Sequence, residues 1–292
     1  MYHNTIASEL TWRFVFHKKE DIDDVDFDDI SISYHKGYVD SLVVSSNAAS
    51  CWGSGSELHI GTSTYFNTYT LKANGYNSVI DSTKDNSDGT LNIKLGDIPI
   101  LPILSATDSL ELKADVALLS RNIKIYGAED EENKGAYVQI IHTPKVSQLI
   151  SGVEFFNMGR QSESDRFAIQ LLYSGSLEGS IISKNSFHDN WRCIVIEGTS
   201  NVTISNNVGY RNNGHCILIG SQSQDNIIEK NFISETRPAT DKWPGHYDDH
   251  TPAAFKNEYN PNNYFKNVAV GNSHYGFRSI ISADVKLEVS FE

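Results

Sequence analysis

Short apolar runs alternate with polar segments through the second half of the chain. In three of these segments an apolar residue stands three positions before an asparagine: Asn185, Asn207 and Asn231. The steps between these asparagines are 22 and 24 residues. A second apolar strand lies between them and repeats at 25 and 23 residues, starting at Ala168, Cys193 and Cys216. A repeat of this length without a helical pattern predicts one coil of a right-handed parallel β-helix per repeat.

The repeated asparagines have a physical role in this interpretation. Asparagine is a poor residue for helix and strand interiors, but it tolerates the tight bend between two strands. Asn185, Asn207 and Asn231 would stack on coils about 4.8 Å apart, so their amides could form a hydrogen-bonded structural ladder. The alternative is that the segments are unrelated polar loops of a β-sandwich.

The first half of the chain shows a two-residue alternation instead. Segments such as "TWRFVF", "DISISYH" and "DSLVVSS" predict antiparallel strands. We therefore predict an all-β protein with a β-rich, sandwich-like domain at 1–115 and a β-helix at 116–292, whose clearest coils start near 148. Polar insertions interrupt the coils at 157–166 and at 236–252.

Composition narrows the choice of partners and compartment. The formal charge of −13 disfavours binding to nucleic acid or to an anionic membrane surface. No run of about 18 apolar residues predicts membrane insertion, and the opening "MYHNTIASELTWRF" does not resemble a signal peptide. We expect a cytosolic protein or a chain from which the export signal is absent.

The three cysteines do not form a disulfide framework by number alone. Cys193 and Cys216 occupy the same place in successive coils, and we expect stacked thiols there rather than a bridge. Cys51 is expected to stand alone. Asn201 begins "NVT", the acceptor pattern for N-linked glycosylation.

Two acidic segments raise the question of a metal. The run "DIDDVDFDD" at 21–29 lacks the glycine and distal glutamate of a helix-loop-helix calcium site, so a solvated loop is expected. The segment "HYDDH" contains candidate ligands, but adjacent loop residues seldom all point at one ion: His246, Asp248, Asp249 and His250. The identity of any metal stays unknown, with calcium as the open candidate and no other cofactor indicated.

Several ordered motifs resemble a known family. They are "CWGSGSELHIGTSTYF" (51–66), "SLELKADVALLSRNIKIYG" (109–127), "RCIVIEG" (192–198) and "NVGYRNNGHC" (207–216). They are similar to the cell-surface hyaluronidases, of the cell migration-inducing type and its transmembrane relative, and to fibrocystin-like proteins. In that family an eight-glycine domain passes into a right-handed parallel β-helix, so residues 1–115 would resemble the end of the former. The resemblance covers about 45–280 and implies an extracellular or cell-surface location.

The chain departs from the hyaluronidase members at three positions where they carry histidines. It has Gln170, Leu172 and Glu197 there. Because side chains alternate along a strand, we expect these three on one outward face across adjacent coils. Glutamine and leucine exchange no protons near neutral pH, so this patch would have lost its chemistry, leaving Gln170 as a substrate-binding candidate.

At other positions the chain has the same residues as the family that it resembles. Arg192 and His215 head successive copies of one strand, and Asp248 stands seven residues before Phe255, as in the family. Arg192 and His215 could hold a sugar carboxylate, or they could instead tie coils together as structural groups. His188 and Asp189 lie in a predicted turn and are further substrate-binding candidates.

Two chemistries remain open for an enzyme. Glycoside hydrolysis needs two carboxyl groups, and Glu197 and Asp248 are the pair that can be nominated. Cleavage of a uronate by β-elimination needs a base and a cation, roles that would suit His215 and Arg192.

The sequence supports a non-catalytic extracellular β-helix module for glycan binding, adhesion or matrix assembly. The expected partner is a polysaccharide or a glycoprotein. The alternative is a hyaluronidase-type enzyme acting on hyaluronan or a related glycan. A fibre subunit is a third class, because β-helix ends can associate end to end, and the final "VKLEVSFE" could be a cap or a joint.

Overall fold

The computed structural model describes residues 31–35, 38–61, 75–97, 115–128, 135–161, 166–240 and 248–281. In these ranges the chain forms one antiparallel sheet followed by a stack of parallel strands. The predicted acidic loop at 21–29, His246 and the predicted strand at 285–292 lie outside the described residues.

The N-terminal part is a six-stranded antiparallel sheet with the spatial order β1-β2-β5-β4-β3-β6. Its strands are β1 (Ser31–His35), β2 (Tyr38–Ser45), β3 (Glu57–Ile60), β4 (Tyr76–Asp85), β5 (Thr90–Leu95) and β6 (Val116–Leu118). A short 3-10 helix, Ser46–Ser50, follows β2. In β5 and in residues 41–45 of β2, alternate residues are buried, and the core includes Leu42, Ile60 and Ile93. The predicted two-residue pattern is therefore clearest in these two strands, whose apolar side faces the core.

The described residues from Ile123 onward form a parallel β-helix. Its first parallel sheet contains β7 (Ile123–Tyr126), β10 (Val153–Phe156), β12 (Ser186–His188), β14 (Val208–Tyr210), β17 (Phe232–Ser234) and β20 (Val268–Val270). Its second parallel sheet contains β8 (Val138–Ile141), β9 (Leu149–Ser151), β11 (Ile169–Ser183), β13 (Ile194–Ser205), β15 (Ile217–Ile219), β16 (Ile227–Glu229), β18 (Ala253–Tyr259), β19 (Asn263–Phe265) and β21 (Tyr275–Ile281).

The change from antiparallel to parallel pairing falls between Leu118 and Ile123. β6 lies just after the domain boundary predicted at 115/116, but it still pairs antiparallel with β3. The first parallel strand, β7, therefore starts a few residues after that boundary.

The asparagine column is present in the structure. Asn185 Nδ2 donates to Asn207 Oδ1, and Asn207 Nδ2 donates to Asn231 Oδ1, each at 3.0 Å. Asn267 extends the column with a further 3.0 Å bond from Asn231. The residue before each ladder asparagine is in the left-handed region, as at Lys184 (φ 56°) and Asn206 (φ 54°). The ladder therefore marks the sharp bend into the first parallel sheet, as the repeat predicted.

The interior of the β-helix is filled by equivalent residues of successive coils. Phe155 and Phe187 stack with ring centroids 5.1 Å apart, and their strands are paired in register. In the second parallel sheet Ile169, Ile194 and Ile217 are register partners and are fully buried. Each coil thus covers the apolar interior of the next one, which a single coil cannot do for itself.

Cys193 and Cys216 form a disulfide between neighbouring coils, with Cα atoms 4.6 Å apart. The prediction of stacked thiols is therefore wrong. The register places the two cysteines as close as adjacent strands are, and this separation lies within the range that a disulfide spans.

The antiparallel sheet packs against the first parallel sheet. A joint apolar cluster includes Ala117 and Leu119 from one side and Val208, Tyr210 and Phe232 from the other. Two polar contacts cross the same junction. His59 Nε2 lies 3.0 Å from Ser234 Oγ, and Gly75 N donates to Glu235 Oε1 at 3.0 Å.

Candidate functional site

The outward side chains of the second parallel sheet form two columns. Gln170, Val195, Leu218, Lys256 and Arg278 are register partners in one column. Leu172 and Glu197 pair in the column two residues further along. The three positions where relatives were expected to carry histidines therefore lie on the same outward face.

Gln170 does not fit its predicted substrate-binding role. Its side chain is 1% exposed, and its Oε1 accepts a hydrogen bond from Gln139 Nε2 at 3.0 Å. The insertion that begins after β17 contributes Ala239 to an apolar cluster with Phe167, Val195 and Leu218, so the neighbouring outward positions are buried as well.

Arg192 forms an internal ion pair. Its Nε and Nη2 atoms donate to the two carboxylate oxygens of Asp249, at 3.2 and 2.5 Å. The guanidinium also lies over the ring of Phe167 at 4.4 Å. Asp249 is fully buried, and the paired Arg192 guanidinium outweighs the effect of burial and lowers its pKa. Two roles were left open for Arg192, holding a sugar carboxylate or tying parts of the fold together, and in the structure its fork is occupied by Asp249.

His215 is enclosed by the same insertion. Its Nδ1 accepts from the backbone N of Ala253 at 2.9 Å, so its Nε2 carries the proton that is donated to Asp248 Oδ2 at 3.1 Å. The side chain is 0% exposed. Burial lowers the pKa of the ring, which stabilises the neutral form.

Asp248 is the centre of a cluster of charges on the outward face. It accepts hydrogen bonds from His215, Lys256 and Arg278. Lys256 also contacts Glu258 Oε1 at 2.5 Å. The hydrogen bond from His215, together with the Lys256 cation, holds the pKa of Asp248 far below its ordinary value. Asp248 is therefore a permanent carboxylate at any physiological pH.

The structure brings Arg192, His215 and Asp248 together through one turn, residues 248–250. Sequence reasoning missed Lys256, Glu258 and Arg278. A signal existed, because equivalent outward positions of earlier coils are the apolar Val195 and Leu218. A lysine and an arginine in the same column of a buried strand require anionic partners.

Glu197 lies apart from this cluster in the neighbouring outward column. Its Oε1 accepts from Ser221 Oγ at 2.8 Å. Its carboxylate lies over Gly220, where an added Cβ would be 1.8 Å from Glu197 Oε2. Glycine at this position therefore makes room for the glutamate.

A row of exposed and half-buried residues runs beside Glu197 along four successive coils. The residues that follow the last register pairs align in two rows across the coils. The first row contains Glu197, Gly220 and Glu258. The second row contains Tyr173, Gly198, Ser221 and Tyr259. Tyr173 is 59% exposed and Tyr259 is 45% exposed. We call the side chains of Tyr173, Glu197, Ser221, Glu258 and Tyr259 the tyrosine strip.

His188 and Asp189 belong to a different side of the molecule. His188 is in β12 of the first parallel sheet, between Glu154 Oε1 at 3.3 Å and Asp189 Oδ2 at 3.1 Å. Burial opposes protonation, but these two carboxylates raise the pKa of His188 to about 9. Asp189 also pairs with Arg211 at 2.5 and 2.8 Å. The structure therefore does not bring the two substrate-binding candidates to the cluster around Asp248.

Within the described residues, no group of three or more histidine, cysteine, aspartate or glutamate side chains could hold a metal ion. Of the "HYDDH" residues, Asp248 and Asp249 face cationic partners, and His250 Nδ1 lies 3.1 Å from the carbonyl oxygen of Ala239. Asn201 is exposed at a bend of β13, where its Nδ2 donates to Ser176 Oγ at 2.9 Å.

The coils described above match a known family model. Residues 133–289 match the model described as CEMIP beta-helix, which is more than half of the chain. This chain belongs to the CEMIP beta-helix family. The resemblance to cell-surface hyaluronidases is thereby confirmed at the level of the family and of the all-β fold.

The proteins to which this chain is similar carry different names. The chain is 28% identical over 155 residues to a cell surface hyaluronidase of Danio rerio, covering 46% of this chain and 11% of that protein. It is 28% identical over 151 residues to a G8 domain-containing protein of Dictyostelium discoideum, covering 51% and 12%. It is 32% identical over 127 residues to communication mutant protein F of the same organism, covering 43% and 11%. The chain thus spans about a tenth of the length of these relatives.

No helix in the described ranges has the length and apolar character needed to cross a membrane.

Proposed function

We propose that this CEMIP beta-helix chain is an extracellular or cell-surface module that binds glycans along the tyrosine strip and does not cleave them. The observation that carries the proposal is the internal pairing of the candidate catalytic groups. Arg192 pairs with Asp249. His215 is hydrogen-bonded to the backbone N of Ala253 and to Asp248.

The surroundings of the candidate catalytic groups support a module that does not cleave its ligand. β-Elimination needs a base that can reach substrate, yet the His215 side chain is 0% exposed and both of its ring nitrogens are engaged. Hydrolysis needs one carboxyl group that is protonated before it donates. The pKa of Asp248 lies far below the ordinary value, so Asp248 is unsuited to supply that proton. The acid would then have to be Glu197, which lies in the neighbouring outward column and accepts a hydrogen bond from Ser221.

The tyrosine strip has the features of a sugar-binding surface. Tyr173 and Tyr259 offer exposed rings for packing against the apolar face of a sugar. Glu197 and Glu258 carry carboxylate oxygens that can accept hydrogen bonds from sugar hydroxyls, and Ser221 adds a hydroxyl group. Because these side chains stand on rigid paired strands, they are preorganised for binding.

A disulfide and a similar protein support an extracellular or cell-surface location. Disulfides such as Cys193–Cys216 persist in oxidising compartments, and the Danio rerio relative is a cell surface hyaluronidase. Asn201 is exposed and begins an N-linked acceptor pattern, so we include a glycan on Asn201 in the proposal.

A hyaluronidase-type enzyme is the second candidate function. It is favoured by the name of the Danio rerio relative and by the clustering of Arg192, His215 and Asp248 around one turn. In this alternative we include a possible dependence on calcium, because a bound cation could rearrange the carboxylates of the cluster.

The test is to incubate the purified chain with fluorescent hyaluronan and with fluorescent neutral oligosaccharides, with and without calcium. Chain length and retention on immobilised protein are then measured. We expect unchanged chain length under all conditions. We also expect Tyr173→Ala and Tyr259→Ala each to weaken binding of the glycan that the unmodified protein retains by about tenfold. This corresponds to the loss of one aromatic contact of roughly 1.4 kcal/mol.

Tyr126→Ala is the matched control, because Tyr126 is 59% exposed but lies in the first parallel sheet. Shortening of hyaluronan that disappears in Arg192→Lys, a variant that keeps the charge but loses the bidentate fork, would establish the enzymatic alternative. Thermal melting of each variant separates lost binding from lost folding.

A further inference from the structure

The first and last coils of the described stack leave interior side chains uncovered. Ile125 is 38% exposed, whereas its register partner Phe155 in the next coil is buried. Phe277 is 47% exposed, although it stacks on its buried register partner Phe255 with ring centroids 4.8 Å apart. Positions that face the core inside the stack therefore face solvent at both ends, where covering them would be favourable.

The strands at these two ends are also edge strands. Among the strands that the structure describes, β7 pairs only with β10, and β8 pairs only with β11. At the other end β20 pairs only with β17, and β21 pairs only with β18. The outer edge of each strand presents backbone donors and acceptors to which a further parallel strand can bind.

The two ends correspond strand for strand. β7 and β20 end the same sheet, and β8 and β21 end the same row of register pairs in the second parallel sheet. The column that begins at Ile125 ends at Ala269. The column that begins at Val138 ends at Phe277. A second copy placed one further rise along the axis, about 4.8 Å, would continue both columns with apolar contacts.

The charges at the two ends are compatible with such a junction. The outward column that ends at Arg278 begins at Gln139. The outward column that ends at Val268 begins at Lys124. Each of these cations would therefore meet an uncharged side chain of the neighbouring copy. Like charges placed directly opposite each other destabilise paired strands, and these two columns do not create that arrangement.

We infer that copies of this chain associate head to tail, with the last coil of one copy pairing with the first coil of the next. A suitable partner must offer parallel strands on two sheets at once, with apolar side chains between them. The opposite end of another copy offers both. The two surfaces that meet are different, so the contact is heterologous and each added copy presents a new end. The assembly therefore grows along the axis of the β-helix, and this inference does not depend on the proposed glycan binding.

Sedimentation of the whole chain tests the association. We expect the weight-average mass to rise at least about twofold over about a hundredfold increase in protein concentration, as mass action requires. A chain that stays monomeric over this whole range overturns the inference.

Two variants each block one end by placing a charge among the apolar contacts. They are Ile125→Asp at the first coil and Phe277→Asp at the last coil. Each variant alone should stay monomeric at every concentration. Ile181→Asp is the matched control, because Ile181 is also 38% exposed but lies in an inner coil, paired on both sides. This control should associate like the unmodified chain, and association that persists in both end variants overturns the inference.

Mixing the two end variants separates a head-to-tail contact from any other. Ile125→Asp keeps its last coil and Phe277→Asp keeps its first coil, so an equimolar mixture should form dimers and nothing larger. Thermal melting checks that each variant is folded, and Val138→Asp with Ala269→Asp provides a second pair at the same two ends. A mixture of folded end variants that stays monomeric overturns the inference.

Discussion

At the scale of single residues, the ladder explains why asparagine recurs at the same place in successive apolar repeats. Asn207 is 0% exposed, and its Oδ1 accepts from the backbone N and the Nδ2 of Asn185. Its own Nδ2 donates to the carbonyl of Ile182 and to Asn231 Oδ1. One buried amide therefore satisfies polar groups of the preceding and following coils at a bend where the strand ladder is interrupted.

Replacing Asn207 by alanine should lower the free energy of unfolding by about 2–4 kcal/mol, because buried donors and acceptors on both neighbouring coils lose a partner. Asn206→Gly is the matched control. Asn206 has a φ of 54°, where glycine is tolerated, so this change should stay within about 1 kcal/mol of the unmodified chain. Chemical denaturation measures both, and equal stability of the two variants would contradict the role of the ladder.

At the scale of elements, the coils are held together by devices that connect one strand to the next. The disulfide joins the residue before β13 to the residue before β15. The Arg192–Asp249 pair joins the turn before β13 to the insertion that precedes β18. Both lie at the entrance to the second parallel sheet, where the outward column is covered by the insertion.

Removing the disulfide should destabilise the stack. Cys193 and Cys216 are separated by 23 residues, and closing a loop of this length contributes about 3 kcal/mol in the chain-entropy model. We expect the Cys193→Ala/Cys216→Ala double variant to melt at a clearly lower temperature and to become insensitive to reductant. Cys51→Ala, at an exposed cysteine outside the disulfide, should behave like the unmodified chain. A double variant with unchanged melting would refute this contribution.

At the scale of the whole molecule, the junction between the antiparallel sheet and the β-helix buries ionisable groups. Burial raises the pKa of Glu235 to about 7, and burial lowers the pKa of His59 to about 4. The cations of Arg237 and Arg211 lie near Glu235 and oppose this effect of burial on its pKa. The two parts of the chain are thus coupled through groups whose protonation differs between the folded and the unfolded state.

Because Glu235 is buried, we expect the free energy of unfolding to depend on pH. The folded pKa of Glu235 is above the unfolded value of 4.5, so the folded state binds the extra proton and loses stability as pH rises from about 4.5 to about 7. Glu235→Gln removes this loss. The variant should gain about 3 kcal/mol relative to the unmodified chain between pH 5 and pH 8.

The difference between the two proteins is the quantity to measure, by denaturation at each pH. The contribution of His59 has the opposite sign over pH 4 to 6.5 and cancels in that difference. Glu178→Gln serves as the exposed control. A pH-independent difference between Glu235→Gln and the unmodified chain would show that the carboxyl is not buried as described.

Much of the fold follows from local pattern. The spacing of Asn185, Asn207 and Asn231 predicted their column, because a solenoid turns sequence period into spatial neighbourhood. The same period placed Leu172 beside Glu197 and brought Cys193 next to Cys216. It did not predict the disulfide itself, because bond formation depends on the Cα separation and on the direction of the side chains.

The site was decided by tertiary structure. No local rule indicates that Asp249 enters the fork of Arg192, that Asp248 meets Lys256 and Arg278, or that an insertion packs against Val195 and Leu218. The residues come from turns and insertions, which do not share the period of the coils. By itself the sequence determined which residues stack, because hydrogen-bonded strands repeat at a constant rise. Which charges are paired and which surface stays open was decided only when the insertions packed onto that stack, because ion pairing and burial depend on distances between parts of the chain that are far apart in sequence.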